Sequence, residues 1–556
     1  MFRVVTIETK ETATAITLDQ FEQVCDRVDA ELGEAWSGVF AQKRTRSKAA
    51  AYVETLCRDD VPVKTCWDMA EAAGLEQPRP FQSLMSNNEW ESGDLWNVIA
   101  KFASTVLVCP DGDSLGPGIA VDETGQPKRG RHAAGVGVQY AGFAGRKVNC
   151  VTSVTLCLIT PSASTWVGNE LFLQEKEWFS GEDGKGTARR QSVGAAADLE
   201  FESKPEIARR KLAELRASGV KFGWSAGDEV YGHSAKLRKD HEENGEGYAY
   251  FVPRNFMVKL PSGARVRADE ALHLARGTSE VRACGDGLNG PRLYTWTMIA
   301  TASPEHFLVI RRPIDDNGPD PEMRNGDDEQ GAGNDMAARN PKAEKLAPGT
   351  GFMYCYVPKD SPIAPTFSNL LLMIGRRWPV EETIAVGKGP IGWDHNQFRK
   401  HSSIQRHNAL SGMAMLRANL IRQRLEQVPR SPGETEPGHP DIPSRNNDSP
   451  TGTASAVSDS SVATRFPVED DETDECLIPL GDAATPHLAD EECPPDIGCI
   501  RLSLAETLRL IRVAKSQVTA TRKQVLLRWS IWRRRHQAIA RWHHRRARLA
   551  VASPFP

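Results

Sequence analysis

Between residues 118 and 173 the chain carries three runs of β-branched and apolar residues, at 118–122, 148–160 and 165–173. Each is a β-branched, apolar run of strand length. KPEIARRKLAELRASG then predicts a helix with Gly219 as its C-cap, and VKFGWSAGD predicts a further strand ending in an acid. Three strands, a helix and a fourth strand predict an α/β core built on a mixed sheet.

The flanking segments differ in texture. LDQFEQVCDRVDAEL, KAAAYVETLC, CWDMAEAAGL and DLWNVIAKFASTVL place apolar residues at helical spacing, so residues 1–110 read as an N-terminal helical domain. It is either a packing module or a DNA-end-binding one, since Lys43, Arg44, Arg46 and Lys48 cluster there. Residues 111–240 form the first part of the core. Residues 241–362 turn strand-like again (YAYFVP, NFMVKL, LYTWTMIAT, HFLVIRR, FMYCYVP), with a Gly/Asn/Asp-rich loop at 315–345. Residues 363–426 read as largely helical and 427–500 as an acidic disordered linker. A basic helical tail, 501–556, closes the sequence.

The 556 residues carry 69 Lys+Arg and 73 Asp+Glu, a net charge of −4 that speaks against a nucleic-acid partner. Its distribution reverses that inference. Between 431 and 496 sixteen acids face only Arg445 and Arg465, while 507–548 holds thirteen Lys/Arg and no acid. A basic block this dense is an electrostatic footprint for phosphate. No apolar run approaches the roughly 20 residues that cross a bilayer. Eleven scattered cysteines without CxxC, and no export signal, predict reduced thiols in the cytoplasm.

Two acids stand where predicted strands end: Asp122 in VDETGQPKRG and Asp228 in SAGDEVYG. A lone acid at such a place is usually a cap. The third group is RRWPVEETIAVGKGPIG, where Pro379 suits a first helical turn. On a helical wheel Val380, Ile384, Gly387 and Ile391 form one packed stripe, Glu381 and Lys388 lie on its rim, and Glu382 faces away. Taken alone, this motif reads better as two solvated glutamates helped by the helix dipole.

Together these pieces resemble the DDE transposases of bacterial insertion sequences. The resemblance is carried by DETGQPKRG (122–130), GVGVQYAGFAGRKVNC (135–150), GDEVYG (227–232), RRWPVEETIAVGKGPIGWDH (376–395), QRHNAL (405–410) and the tail WSIWRRRHQAIARWHHRRARL. It implies a ribonuclease-H-like mixed sheet core with a β-rich insertion between Asp228 and Glu381, where 152 residues intervene. It also implies that Asp122, Asp228 and Glu381 are catalytic and metal-binding, with Glu382 as the alternative third acid. Arg377 and Lys388 match the Arg–x3–Glu–x6–Lys part of a signature in related transposases and are expected to contact DNA. The tyrosine that precedes that arginine in the signature is Ile374 here.

The chemistry suits such acids. Phosphodiester cleavage requires an activated nucleophile and a stabilised leaving oxygen, which two Mg²⁺ ions about 3.5–4 Å apart provide, with Mn²⁺ as a substitute. Magnesium takes hard oxygen ligands. Lys128, Arg129 and Arg131, in one loop after Asp122, are expected to meet phosphate beside the scissile bond. In the tail, Val525, Trp529, Trp532, His536, Ile539 and His543 share one helical face, predicted to dock on the core. Arg533, Arg534, Arg535, Arg541 and Arg545 are left for DNA. The expected protein is a transposase that binds terminal inverted repeats and cuts and joins strands as a homodimer or larger assembly on DNA, associated with the nucleoid. The alternatives are a domesticated, non-catalytic DNA-binding regulator and a purely hydrolytic endonuclease.

Overall fold

The computed structural model describes residues 17–427 apart from 59, 181–184, 197, 275–278, 288–289 and 315–345, then 501–515 and part of 523–544. The 315–345 loop and residues 428–500 of the acidic linker lie outside the described residues. The architecture is mixed α/β around one large mixed sheet.

Five helices come first: α1 (Leu18–Ala35), α2 (Lys43–Leu56), α3 (Cys66–Ala72), α4 (Arg79–Ser86) and α5 (Ser92–Val106). Thr17 caps α1 in a reciprocal capping box with Gln20. α4 has no counterpart in the periodicity reading, being two turns long and opened by prolines.

The sheet follows, with β1 (Gly118–Pro127), β2 (Gly137–Ala141), β3 (Arg146–Ile159) and β4 (Ser164–Phe172). Three helices, α6 (Glu175–Trp178), α7 (Lys185–Ser192) and α8 (Lys204–Ala217), lead to β5 (Trp224–Gly227). Gly219 stands just past α8 with φ +82, the left-handed turn that ends a helix. Next come α9 (Glu229–Gly232), α10 (Ala235–Glu243) and β6 (Gly247–Val252). β1 is antiparallel to β3 and parallel to β5, and β5 is parallel to β6. Gly118 sits opposite Trp224, and a Cβ there would fall 2.1 Å from the indole, so glycine is what lets the two strands close.

The later strands continue this sheet. After the small pair β7 (Met257–Lys259) and β8 (Arg265–Arg267) and helix α11 (Ala268–Leu274), three further strands form: β9 (Ser279–Gly287), β10 (Gly290–Ala300) and β11 (His306–Arg312). With β12 (Gly351–Tyr356) they extend it in the order β6-β12-β11-β10-β9. β2, β8 and β9 escaped the sequence reading because Gly, Arg and Asp dilute their apolar content.

The helical stretch after residue 363 is three helices: α12 (Phe367–Gly375), α13 (Pro379–Lys388) and α14 (His401–Glu426). α14 is buried without interruption from Ser403 to Ile421, polar residues included. A helix enclosed on all sides must satisfy each polar group inside. Arg417 pairs with Asp29 of α1, Arg406 donates to the carbonyls of Met85 and Trp90, and His407 meets the hydroxyl of Tyr52 at 2.9 Å. One hydrophobic core therefore runs from the N-terminal helices through α14 to the sheet. The basic segment's first helix, α15 (Leu504–Lys515), joins that core through Leu508 and Ile511.

Candidate active site

β1 determines where the first acid stands. Asp122 lies in mid-strand rather than at the strand's end. β3 pairs with β1 along its whole length, from Gly118↔Ile159 to Pro127↔Cys150, so DETGQP is drawn into the ladder despite weak strand propensity. The β1–β5 ladder closes at Val121↔Gly227, which makes Asp122 and Asp228 neighbours one step beyond it. Asp228 also caps α9, its Oδ1 accepting from the Val230 amide at 3.0 Å.

The third acid arrives on α13. Its wheel is largely as predicted: Val380 and Gly387 are buried, Glu381 is half-exposed and Glu382 fully so. Thr383 Oγ donates to the Pro379 carbonyl and meets Ser164 Oγ of β4, both at 2.7 Å, while Gly387 lies against the Trp166 ring. Ile374, at the position of the missing tyrosine, is a buried core residue of α12.

Arg377 joins the acids. One guanidinium nitrogen donates to Asp122 Oδ2 at 3.2 Å and the other to Glu381 Oε1 at 3.0 Å. Arg376 beside it pairs with Asp113, which anchors the corner between α12 and α13. Arg377 thus serves the acids here, whereas the sequence reading assigned it to DNA. Glu123, which sequence reasoning passed over, accepts from Lys204 Nζ at 2.5 Å and Tyr231 Oη at 3.2 Å. Its only sequence signal is adjacency to Asp122 in DETG.

The electrostatics follow from crowding. Burial, then the charges of Asp122 and Glu123, push the Asp228 carboxyl up to about 7. Burial raises Asp122 as well, against the pull of Arg377. Added positive charge would relieve both groups, and carboxylate oxygens are the donors a hard divalent cation takes. Among the described residues no three His, Cys, Asp or Glu side chains stand close enough to hold an ion. The Arg377 guanidinium pairs with both Asp122 and Glu381.

The predicted phosphate contacts divide. Arg129 and Arg131 are exposed, but Lys128 is half-buried, donates to the Asn396 carbonyl at 2.7 Å, and is lowered to about 8 by burial. Lys388 lies 4.9 Å from the Phe143 ring centre, also lowered by burial. In α2, Lys43 and Arg44 are exposed, whereas Arg46 donates to the carbonyls of Ser37 and Phe40 and Lys48 to Ser83 and Asn88. In the tail, Arg534 and Arg535 are half-buried and Arg541 is exposed; Arg533 and Arg545 lie outside the described residues. Of the predicted docking face, Val525, Trp529, Trp532 and His536 lie outside the described residues and Ile539 and His543 are exposed, whereas Leu527, Ser530 and Ala538 are buried. The eight described cysteines are free thiols. No helix among the described residues is long and apolar enough to cross a membrane.

Comparison with known proteins bears on the family to which the chain is similar. Residues 37–282 match the family described as DDE superfamily endonuclease. A stretch of 189 residues is 23% identical to the probable transposase for insertion sequence element IS701 of Microchaete diplosiphon, covering 34% of this chain and 44% of that relative. Both bear out the resemblance to DDE transposases of insertion sequences. The family match contains Asp122 and Asp228 and ends before Glu381, which rests on its own motif and placement.

Proposed function

We propose that this protein is a transposase that binds the terminal inverted repeats of an insertion sequence and catalyses metal-dependent DNA cleavage and strand transfer. The observation that carries the proposal is the convergence of Asp122, Asp228 and Glu381, from β1, the end of β5 and α13, around Arg377. The sheet order β4-β3-β1-β5-β6, with β1 antiparallel to β3 and parallel to β5, supports a ribonuclease-H-like core. On that reading β9–β12 belong to the β-rich insertion and the N-terminal helices carry the end-binding surface.

Asp122, Asp228 and Glu381 would hold divalent metal, Mg²⁺ in the cell. When bound, such ions activate the attacking oxygen and stabilise the leaving one. The protein's own groups do the rest. The rigid β1–β5 pair fixes two carboxylates side by side, and α13, pinned by Thr383 and Trp166, sets the third. Glu123, held by Lys204 and Tyr231, keeps negative charge behind Asp122 and Asp228 and so strengthens their demand for a cation. Arg129, Arg131 and the tail's Arg541 are available to phosphates. The assembly that brings two element ends together is a dimer or larger.

A duplex carrying the inverted repeats that flank the gene tests this directly. Mg²⁺-dependent nicking at the repeat end, and joining of a pre-cut end to a target plasmid, are the expected products. Binding without nicking identifies a DNA-binding regulator instead. Nicking without joining identifies a hydrolytic endonuclease.

A further inference from the structure

Arg292 is a buried cation that the acids do not account for. It is 6% exposed, and among the described residues no carboxylate pairs with it, while its Nε is buried without an acceptor. Its guanidinium lies 3.7 Å from the centre of the Trp378 ring. Removing a guanidinium from water without a counter-charge is costly, and stacking on an indole offsets only part of that cost.

The backbone is arranged to put it there. The β9–β10 ladder loses register between Pro291 and Leu293, so Arg292 occupies the irregularity. Such breaks re-aim a side chain out of the regular alternation and are frequent beside functional sites. Trp378, which receives it, precedes α13 and is bonded in sequence to Arg377.

A second arginine converges from the next strand. Arg311 of β11 is 7% exposed and lies over Tyr294 at 4.9 Å and Phe251 at 5.5 Å. Arg377 shares that Phe251 ring at 5.6 Å. The Cys284 thiol feels all three guanidiniums, which places them around one locus. Asp122 and Glu381 pair with Arg377, and neither forms an ion pair with Arg292.

We infer that Arg292 and Arg311, walled by Trp378, Tyr294 and Phe251, form a phosphate-binding site beside the three acids, filled by a phosphodiester of the DNA strand that crosses them. Planar guanidinium forks match phosphate oxygens, and aromatic walls hold the forks in place. The identity of the anion's source rests on the transposase reading; the phosphate chemistry of the site does not.

Two measurements on the full chain test the inference. The first is fluorescence anisotropy of a repeat-end duplex across a KCl series, with wild type, Arg292→Gln and Arg292→Lys. Loss of one phosphate contact lowers the log–log salt slope by about 0.9 in Arg292→Gln, and Arg292→Lys retains it. The second is thermal melting with and without inorganic pyrophosphate. Without anion, Arg292→Gln melts at or above wild type, because an unpaired buried charge has gone; pyrophosphate raises the wild-type melting point only. A variant that melts lower and keeps the wild-type slope makes Arg292 a brace for Trp378 and overturns the site. Pyrophosphate stabilisation that needs Arg292, in a protein that binds no duplex, upholds the site and overturns the transposase reading.

Discussion

Arg377 and Asp122 meet at 3.2 Å, and the same guanidinium reaches Glu381 at 3.0 Å on its other side. The cation nearest the acids is therefore part of the chain. Two acids and an arginine form a partly buried network in which removing one member strands the others. Arg377→Gln is expected to cost about 3 kcal/mol of stability in metal-free urea unfolding. It is also expected to tighten Mn²⁺ binding, read by electron paramagnetic resonance, because the acids lose their internal counter-charge. Unchanged Mn²⁺ affinity would show that the arginine does not compete for them.

Asp122→Asn, Asp228→Asn and Glu381→Gln are each expected to abolish nicking while repeat binding persists. Glu382→Gln should retain cleavage, since Glu382 is exposed and lies a full helical step away from Arg377's partner. Nicking by Glu381→Gln, with none by Glu382→Gln, would reassign the third acid.

Asp228 predicts a pH dependence with a definite sign. The folded chain holds its proton up to about 7, whereas the unfolded chain releases it near 3.8. In that window the folded state binds more protons, so this group's contribution to stability is greatest below about pH 4 and declines as pH rises to about 7. Asp228→Asn should flatten that decline in denaturant titrations. Mn²⁺ affinity should climb through the same window, because a ligand carboxylate must be ionised. A metal affinity independent of pH from about 5 to 8 would contradict it.

Gly387 couples packing to the site. Alanine normally stabilises a helix interior by about 1 kcal/mol relative to glycine. Here a Cβ would lie 2.4 Å from the Trp166 ring, so Gly387→Ala should instead destabilise by about 1–3 kcal/mol and lift α13 from the sheet. Cleavage should fall although no carboxylate is touched. A Gly387→Ala protein with raised melting temperature and full activity refutes this packing.

The strands around Asp122 were legible because buried strands are runs of β-branched residues, and the difference in exposure between Glu381 and Glu382 was legible because a wheel separates them. Strand β9, the true extent of β1 and the burial of Leu527 and Ala538 in the tail were not. Each depends on what a partner element offers, and pairing of all of β1 with β3 outweighs the weak propensity of DETGQP. The same limit applied to the cations. Lys128 and Arg377 carry charge that sequence reading reserved for DNA, yet the fold also directs Lys128 to the Asn396 carbonyl and Arg377 to the carboxylates of Asp122 and Glu381.

The sequence by itself determined the α/β class and the segregation of charge into a basic block and an acidic stretch. Those follow from local composition and spacing, which the chain carries wherever it goes. Only the tertiary structure decided that Arg377 lies between Asp122 and Glu381 and that Arg292 faces Trp378 with no paired carboxylate among the described residues. Charge pairing is set by distances of a few ångströms between residues up to hundreds of positions apart, and the sheet's register alone brings them together.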